Sequence, residues 1–201
     1  MPEISKAKVV ILATHGFEQS ELMVPMRKLR EAGAQVVVAS PEQGQIRGWK
    51  DKDWGESVTV DKSLEEINVE EYDAIVLPGG QINPDLLRIN QQALQLIRAF
   101  LDGGKVVAAI CHAPWLLVEL DAVRGRQVTS YKSIKTDVIN AGGKWVDREV
   151  VTDGGIVTSR NPGDLDAFTA KVIEEIEEGS HARQRAARGA KSEQRPQPGV
   201  H

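Results

Sequence analysis

Four short runs of this chain are apolar with little polar interruption: KVVILAT at residues 8–14, AQVVVAS at 34–40, AIVL at 74–77 and KVVAAI at 105–110. A strand with one wet face alternates; a continuous apolar run fits a strand buried on both faces. Helical patterns separate these runs. Residues 18–32 place Leu22, Met26 and Leu29 on one stripe and stop at Gly33. Residues 90–101 are closed by Gly103 and Gly104, and Pro162 opens a last helix that reaches Glu178. Strands alternating with helices predict an α/β fold, a mostly parallel sheet with helices on both faces.

Smaller features punctuate this plan. From Gln43 to Asp61, glycines divide the alternating segments QIRG and ESVTVD. That pattern predicts a small antiparallel hairpin at the sheet edge, with Trp49 and Trp54 near its tip. A second hairpin is expected about Asp153-Gly154-Gly155, and Ser63 is placed to cap a short turn. The segment from Val128 to Asp147 reads as a short strand, a helix near 134–141 and another short strand.

With 201 residues, 41% of them hydrophobic, the chain has material for one well-buried domain, expected over residues 1–178. No apolar stretch approaches the ~20 residues of a membrane span. The first residues show an early strand rather than a signal peptide, and one cysteine cannot form an internal disulfide. Both point to the cytoplasm. The net charge of −4 gives no sign of a nucleic-acid surface. The segment 179–201 is basic and poor in large apolar residues, so a flexible tail is expected there.

The single cysteine has an informative setting. The strand KVVAAI ends at Cys111, His112 follows, and Pro114 stands where a helix could begin. Proline suits the first helical position because its missing N–H is not needed there. Strand, sharp turn and helix make a nucleophile elbow, with the sulfur raised above the end of the sheet. Chemistry in an open parallel sheet gathers beyond the carboxyl ends of its strands. Two other such ends carry unusual residues: His15-Gly-Phe-Glu18-Gln-Ser-Glu21 and Pro78-Gly79-Gly80-Gln-Ile-Asn-Pro84-Asp85. Side by side, the three turns would gather a thiol, an imidazole and up to three carboxyls.

A free thiol has a pKa of about 8.5, and lowering it to about 5.5 takes about 4 kcal/mol. A helix N-terminus supplies about 0.3–2 kcal/mol, so hydrogen bonds or a nearby imidazolium must add the rest. Glu21 assists if burial keeps it protonated and donating to sulfur; ionised, it opposes the thiolate. The N–H groups of Gly80 and His112 are the candidate oxyanion hole. Plainer roles stand beside these. Cys111 can be a small core residue, Glu18 can complement the helix dipole, and Asp85 can be a turn residue or cap. No Cys/His cluster has metal spacing, and no glycine-rich dinucleotide or phosphate loop occurs.

Taken together, Phe17-Glu18-x-x-Glu21-Leu22-x-x-Pro25, Leu77-Pro-Gly-Gly80, Ala109-Ile-Cys111-His112-x-Pro114 and Arg124-Gly-Arg126-x-x-Thr-Ser-Tyr131 resemble the PfpI (intracellular protease I) family of the DJ-one/PfpI superfamily. The likeness extends through Ile139–Val151 and Ser159-Arg160-x-Pro162-x-Asp164-Leu165, covering about residues 7–176. It implies a flavodoxin-like three-layer sandwich assembled as a homodimer or larger homo-oligomer, with the active site near the interface. It implies a reactive Cys111, with Glu21 as the acid contacting the thiol and His112 beside the nucleophile. Tyr131 and Glu18 would line the site. Asp85 would reach across the subunit interface to orient His112, as an acid does in peptidase-like members. The turn GGQINPD is one residue longer than the family's usual form, and aspartate is a methylene shorter than the glutamate of those members.

The resemblance implies a stress-response hydrolase that needs no cofactor. Its expected substrates are small reactive carbonyls or their adducts, handled by glyoxalase or deglycase chemistry. The alternatives are an intracellular cysteine peptidase with a peptide substrate, and a cysteine-oxidation redox sensor or chaperone without turnover. No nucleic-acid or membrane partner is expected.

Overall fold

Each apolar run pairs with another that is distant in sequence. The computed structural model describes residues 3–179. In chain order the elements are β1 (Lys8–Leu12), β2 (Phe17–Glu18), α1 (Gln19–Glu31), β3 (Gln35–Ser40), β4 (Gln45–Lys50), β5 (Asp53–Thr59) and β6 (Lys62–Ser63). They continue with β7 (Ala74–Leu77), α2 (Ile82–Leu87), α3 (Gln91–Asp102), β8 (Val106–Ile110), α4 (Pro114–Glu119) and β9 (Gln127–Val128). Last come α5 (Lys135–Asn140), β10 (Lys144–Trp145), β11 (Val151–Asp153), β12 (Ile156–Ser159) and α6 (Leu165–Glu178).

The main sheet has seven strands in the order β11-β12-β8-β7-β1-β3-β6. All its pairings are parallel except that of β11 with β12. The missing alternation in the sequence has its cause here. Val9 and Ile11 face a layer built with Leu22 and Leu29 of α1 and Phe168, Val172 and Ile176 of α6. Val10 and Leu12, on the other face, meet Ala93, Ile97 and Phe100 of α3 and Leu116 and Leu117 of α4. Both faces are dry, so both residue sets must be apolar. Phe100 and Phe168 are fully buried, one in each layer, and truncating either to Ala would cost about 3–5 kcal/mol. This is the flavodoxin-like sandwich that was expected.

The ends of the elements follow local chemistry. Asn90 Oδ1 accepts the Ala93 N–H at 3.0 Å and starts α3. Ser63 and Glu66 form a capping box, and Pro114 occupies the first turn of α4. Two features differ from expectation. The hairpin β4–β5 does not extend the main sheet; it joins β2, which pairs parallel to β4, in a separate three-stranded sheet. The antiparallel edge of the main sheet is β11. The turn after Gly80 also contains a helix, α2, which tolerates Pro84 in its first turn because the N–H there has no intrahelical partner. The expected basic tail lies outside the described residues from 180 onward.

Within the turns, Asn83 acts as a strut. Its side chain is wholly buried; Oδ1 accepts the Thr14 N–H at 2.8 Å and Nδ2 donates to the Pro78 carbonyl at 2.9 Å. It thereby ties the ends of β1 and β7 to the start of α2.

Candidate active site

After β1 the chain crosses to β3 on one side, then returns to β7 on the other. A crevice opens where the winding reverses, beyond the carboxyl ends of the strands. β8 lies next to β7, so the turns after β1, β7 and β8 meet there.

Cys111 is at the elbow, with φ +64°. For a residue with a Cβ this left-handed conformation costs about 1–2 kcal/mol. The surroundings impose it. The Cys111 N–H donates to Ser159 O at 3.0 Å, its carbonyl accepts the Tyr131 N–H at 2.8 Å, and the Ala113 N–H donates to Ile110 O at 3.0 Å. Facing it, Gly79 has no room for a side chain: a Cβ would lie 2.5 Å from Glu21 Oε2 and 2.7 Å from Cys111 Cβ. At Gly80, φ is +85° and a Cβ would meet Gly16 O at 2.6 Å. The glycine pair therefore permits close approach of backbone to sulfur.

Glu21 is fully buried, and its Oε2 accepts the Gly79 N–H at 2.8 Å. Among the described residues its Oε1 has no oxygen or nitrogen partner, and Glu21 lines the same cavity as Cys111. His112 Nδ1 lies 3.1 Å from Cys111 Sγ, and Nε2 lies 3.1 Å from Ser133 Oγ. The imidazole stacks on Tyr131 with centroids 4.8 Å apart and meets the edge of Trp115 at 5.2 Å. Trp115 is itself fixed by its Nε1–H, which donates to Asp137 Oδ2 at 2.8 Å.

Burial raises the Glu21 carboxyl from 4.5 to about 8, against the pull of the Gly79 N–H, so at neutral pH it holds its proton. Burial lowers His112 and keeps the ring neutral. For Cys111 burial works against the acidic thiol expected from the sequence. Burial pushes the thiol up, and the charge of Glu21, when ionised, pushes it further; the Gly80 and His112 N–H groups pull the other way. His112 Nδ1 is in hydrogen-bond reach of the sulfur and placed to take the thiol proton.

A cavity of about 350 Å³ opens over the sulfur. Its wall includes Glu18, Glu21, Gly80, Cys111, His112 and Tyr131, all anticipated from the sequence. Asp85 is not part of that wall: it is exposed on α2, and in this chain His112 Nε2 is engaged by Ser133. His15 faces the hairpin, where its Nδ1 accepts the Arg47 N–H at 3.0 Å. The sequence reading missed three residues. Trp49 and Asp51, on the tip of β4–β5, close one side of the cavity, and Ser133 holds the imidazole. The hairpin itself was legible; its docking over the crevice had no local signal. Among the described residues no His, Cys, Asp and Glu group could hold a metal.

Comparison with known proteins places this geometry in context. The model of the DJ-1/PfpI family matches residues 7–175. "Deglycase PfpI" of Pyrococcus furiosus is 44% identical over 166 residues, which span 83% of this chain and 97% of that protein. "Protein/nucleic acid deglycase 2" of Escherichia coli is 43% identical over 169 residues, 83% of this chain and 95% of that one. The crystal structure of Drosophila melanogaster DJ-1beta is similar at a TM-score of 0.78 and 30% identity, covering 92% of this chain and 98% of that one.

Proposed function

The chain belongs to the DJ-1/PfpI family, and from that premise we propose that it is a cysteine-dependent deglycase acting on adducts of small α-oxoaldehydes. The observation that carries this reading is the thiol of Cys111 on the floor of an open cavity, 3.1 Å from a neutral imidazole and facing two backbone N–H groups. Cofactor-free chemistry suits such a site. Sγ attacks the carbinol carbon of an amine adduct as its proton passes to His112 Nδ1. The C–S bond forms, the C–N bond breaks, and the amine leaves with that proton. A proton then moves from the sulfur-bearing carbon to the neighbouring carbonyl carbon while the carbinol O–H proton passes to the former carbonyl oxygen, which gives a thioester. Water hydrolyses it to a 2-hydroxy acid and restores the thiol. Net, one water is consumed and the free amine is returned. The protonated Glu21 is the group at hand to relay hydrogen during the shift, and the Gly80 and His112 N–H groups bind the developing oxyanion.

The reading includes assembly. Ile82, Leu86 and Ile89 are exposed at helical spacing on and just after α2, with Asp85 among them. That apolar stripe supports a homo-oligomer with its interface beside the site, where Asp85 would approach the partner's site. The decisive experiment incubates the protein with the methylglyoxal adduct of N-acetylarginine and follows lactate and released N-acetylarginine by NMR. Release that vanishes in Cys111→Ala is expected; equal release by both proteins overturns the proposal.

A further inference from the structure

An imidazole can take the proton of a neighbouring thiol only if it offers that thiol a free nitrogen. A neutral ring carries one hydrogen, on either Nδ1 or Nε2. The wrong tautomer leaves the base blocked, so an active Cys–His pair needs a third group to fix the ring hydrogen on the far nitrogen. The family resemblance assigns that office to an acid from another subunit. In this chain the far nitrogen already has a partner. Ser133 Oγ lies 3.1 Å from His112 Nε2, on the side opposite Cys111 Sγ.

The placement of Ser133 follows from how its segment is held. The Tyr131 N–H donates to the Cys111 carbonyl at 2.8 Å, and the Tyr131 ring stacks on the imidazole. Lys132–Ile134 then forms a single 3-10 turn whose closing residue, Ile134, is buried. The segment is thus clamped on both sides of Ser133. The Trp115 edge confines the imidazole from another side. Ring orientation and hydroxyl position are therefore set by the same packing.

We propose that Ser133 is the positioning residue of a Cys111–His112–Ser133 relay contained within one subunit. This rests on the deglycase reading of the site. In the reacting tautomer Ser133 Oγ accepts the Nε2–H hydrogen bond, and the Nδ1 lone pair faces the thiol. When Cys111 reacts, the Sγ–H bond breaks and Nδ1 gains the proton. The resulting imidazolium keeps its Nε2–H bond to Ser133 until the proton leaves with the amine. A hydroxyl differs from a carboxylate in one respect that matters here. It orients the ring without adding negative charge, so it does not hold His112 permanently protonated. The other charged or titratable groups around the imidazole are Cys111 and Glu21 at the elbow, Glu18, Asp51 at the hairpin tip and Tyr131 in the stack; Asp137 is engaged by Trp115.

The test reads Cys111 without any carbonyl substrate, so a failed deglycase assay leaves it standing, and the reverse. The rate of Cys111 alkylation by iodoacetamide is measured against pH in wild type, Ser133→Ala, Ser133→Thr and Ser133→Asp, with mass spectrometry confirming the site. Ser133→Ala should slow alkylation near neutral pH by about three- to tenfold, the worth of one hydrogen bond to the ring. Ser133→Thr, which keeps the hydroxyl, should recover most of it. Ser133→Asp should move the His112-dependent limb of the profile to higher pH, because a carboxylate favours imidazolium. A profile for Ser133→Ala that superimposes on wild type overturns the proposal. So does a loss in Ser133→Ala that Ser133→Thr fails to recover, since that is the mark of disturbed packing alone.

Discussion

The Glu21 carboxyl accepts the Gly79 N–H at 2.8 Å across 58 residues of sequence, and so joins the first turn of α1 to the turn after β7. The bond positions the acid against Cys111, and it does so inside a space that excludes water. Burial outweighs the amide, and the carboxyl titrates at about 8 instead of 4.5.

That displacement makes stability fall with pH. The folded protein holds the Glu21 proton up to about 8, while the unfolded chain releases it near 4.5. The stabilisation is complete below the unfolded value and is lost as pH rises through the folded one. Glu21→Gln keeps an oxygen for the Gly79 N–H but cannot ionise. Melting temperature measured by calorimetry should fall between about 4.5 and about 8 in wild type and stay flatter in Glu21→Gln. Parallel curves would show that Glu21 titrates normally.

The cavity should discriminate by charge. Glu18, Glu21 and Asp51 line it, and among the described residues no Lys or Arg does. The half-buried Glu18 is raised chiefly by burial and further by the charge of Asp51. A unit charge about 8 Å from another at an effective dielectric of about 20 feels about 2 kcal/mol. 4,5-Dioxovalerate, an α-oxoaldehyde that carries a carboxylate, should accordingly show a kcat/KM about tenfold below that of methylglyoxal, allowing for screening. The double variant Glu18→Gln, Asp51→Asn should narrow the gap, mainly by improving the anionic substrate. An unchanged ratio would mean that these carboxyls do not face the substrate.

Gln19 should control how firmly the hairpin closes the cavity. Its Oε1 accepts the Glu56 N–H at 2.8 Å and its Nε2 donates to Glu56 Oε1 at 3.0 Å, clipping β5 to the start of α1. At the tip, Trp49 and Trp54 meet edge to face, with centroids 5.5 Å apart. Gln19→Ala removes both bonds at a cost of about 1–3 kcal/mol. Steady-state kinetics should show a higher KM with kcat little changed, because the elbow lies elsewhere. A fall confined to kcat would contradict a role in closing the cavity.

Local chemistry carried most of what the sequence revealed. The dry strands, Pro114 at the start of α4 and the cap at Ser63 each depend on a few neighbouring residues, and all are where the pattern put them. Cys111, Glu21 and Gly80 were legible because an elbow and a glycine turn admit few alternatives. Other features arise from contacts between distant segments. The Ser133 hydroxyl reaches His112 across 21 residues, and a serine in the segment KSI carries no sign of that partner. The hairpin tip enters the cavity because β2 pairs with β4, yet two residues are too few to announce a strand. The burial opposing an acidic Cys111 was hidden for a related reason. Hydrogen bonds to sulfur are visible in a motif, whereas the desolvation opposing them depends on everything packed around it.

The strut at Asn83 has one more property. A buried asparagine ages by deamidation, in which its side-chain carbonyl is attacked by the backbone nitrogen of the next residue. Here that residue is Pro84, whose nitrogen carries no hydrogen and is locked in a ring. The cyclic intermediate cannot form by the ordinary route. The brace beneath the crevice is thus shielded from a slow form of chemical wear.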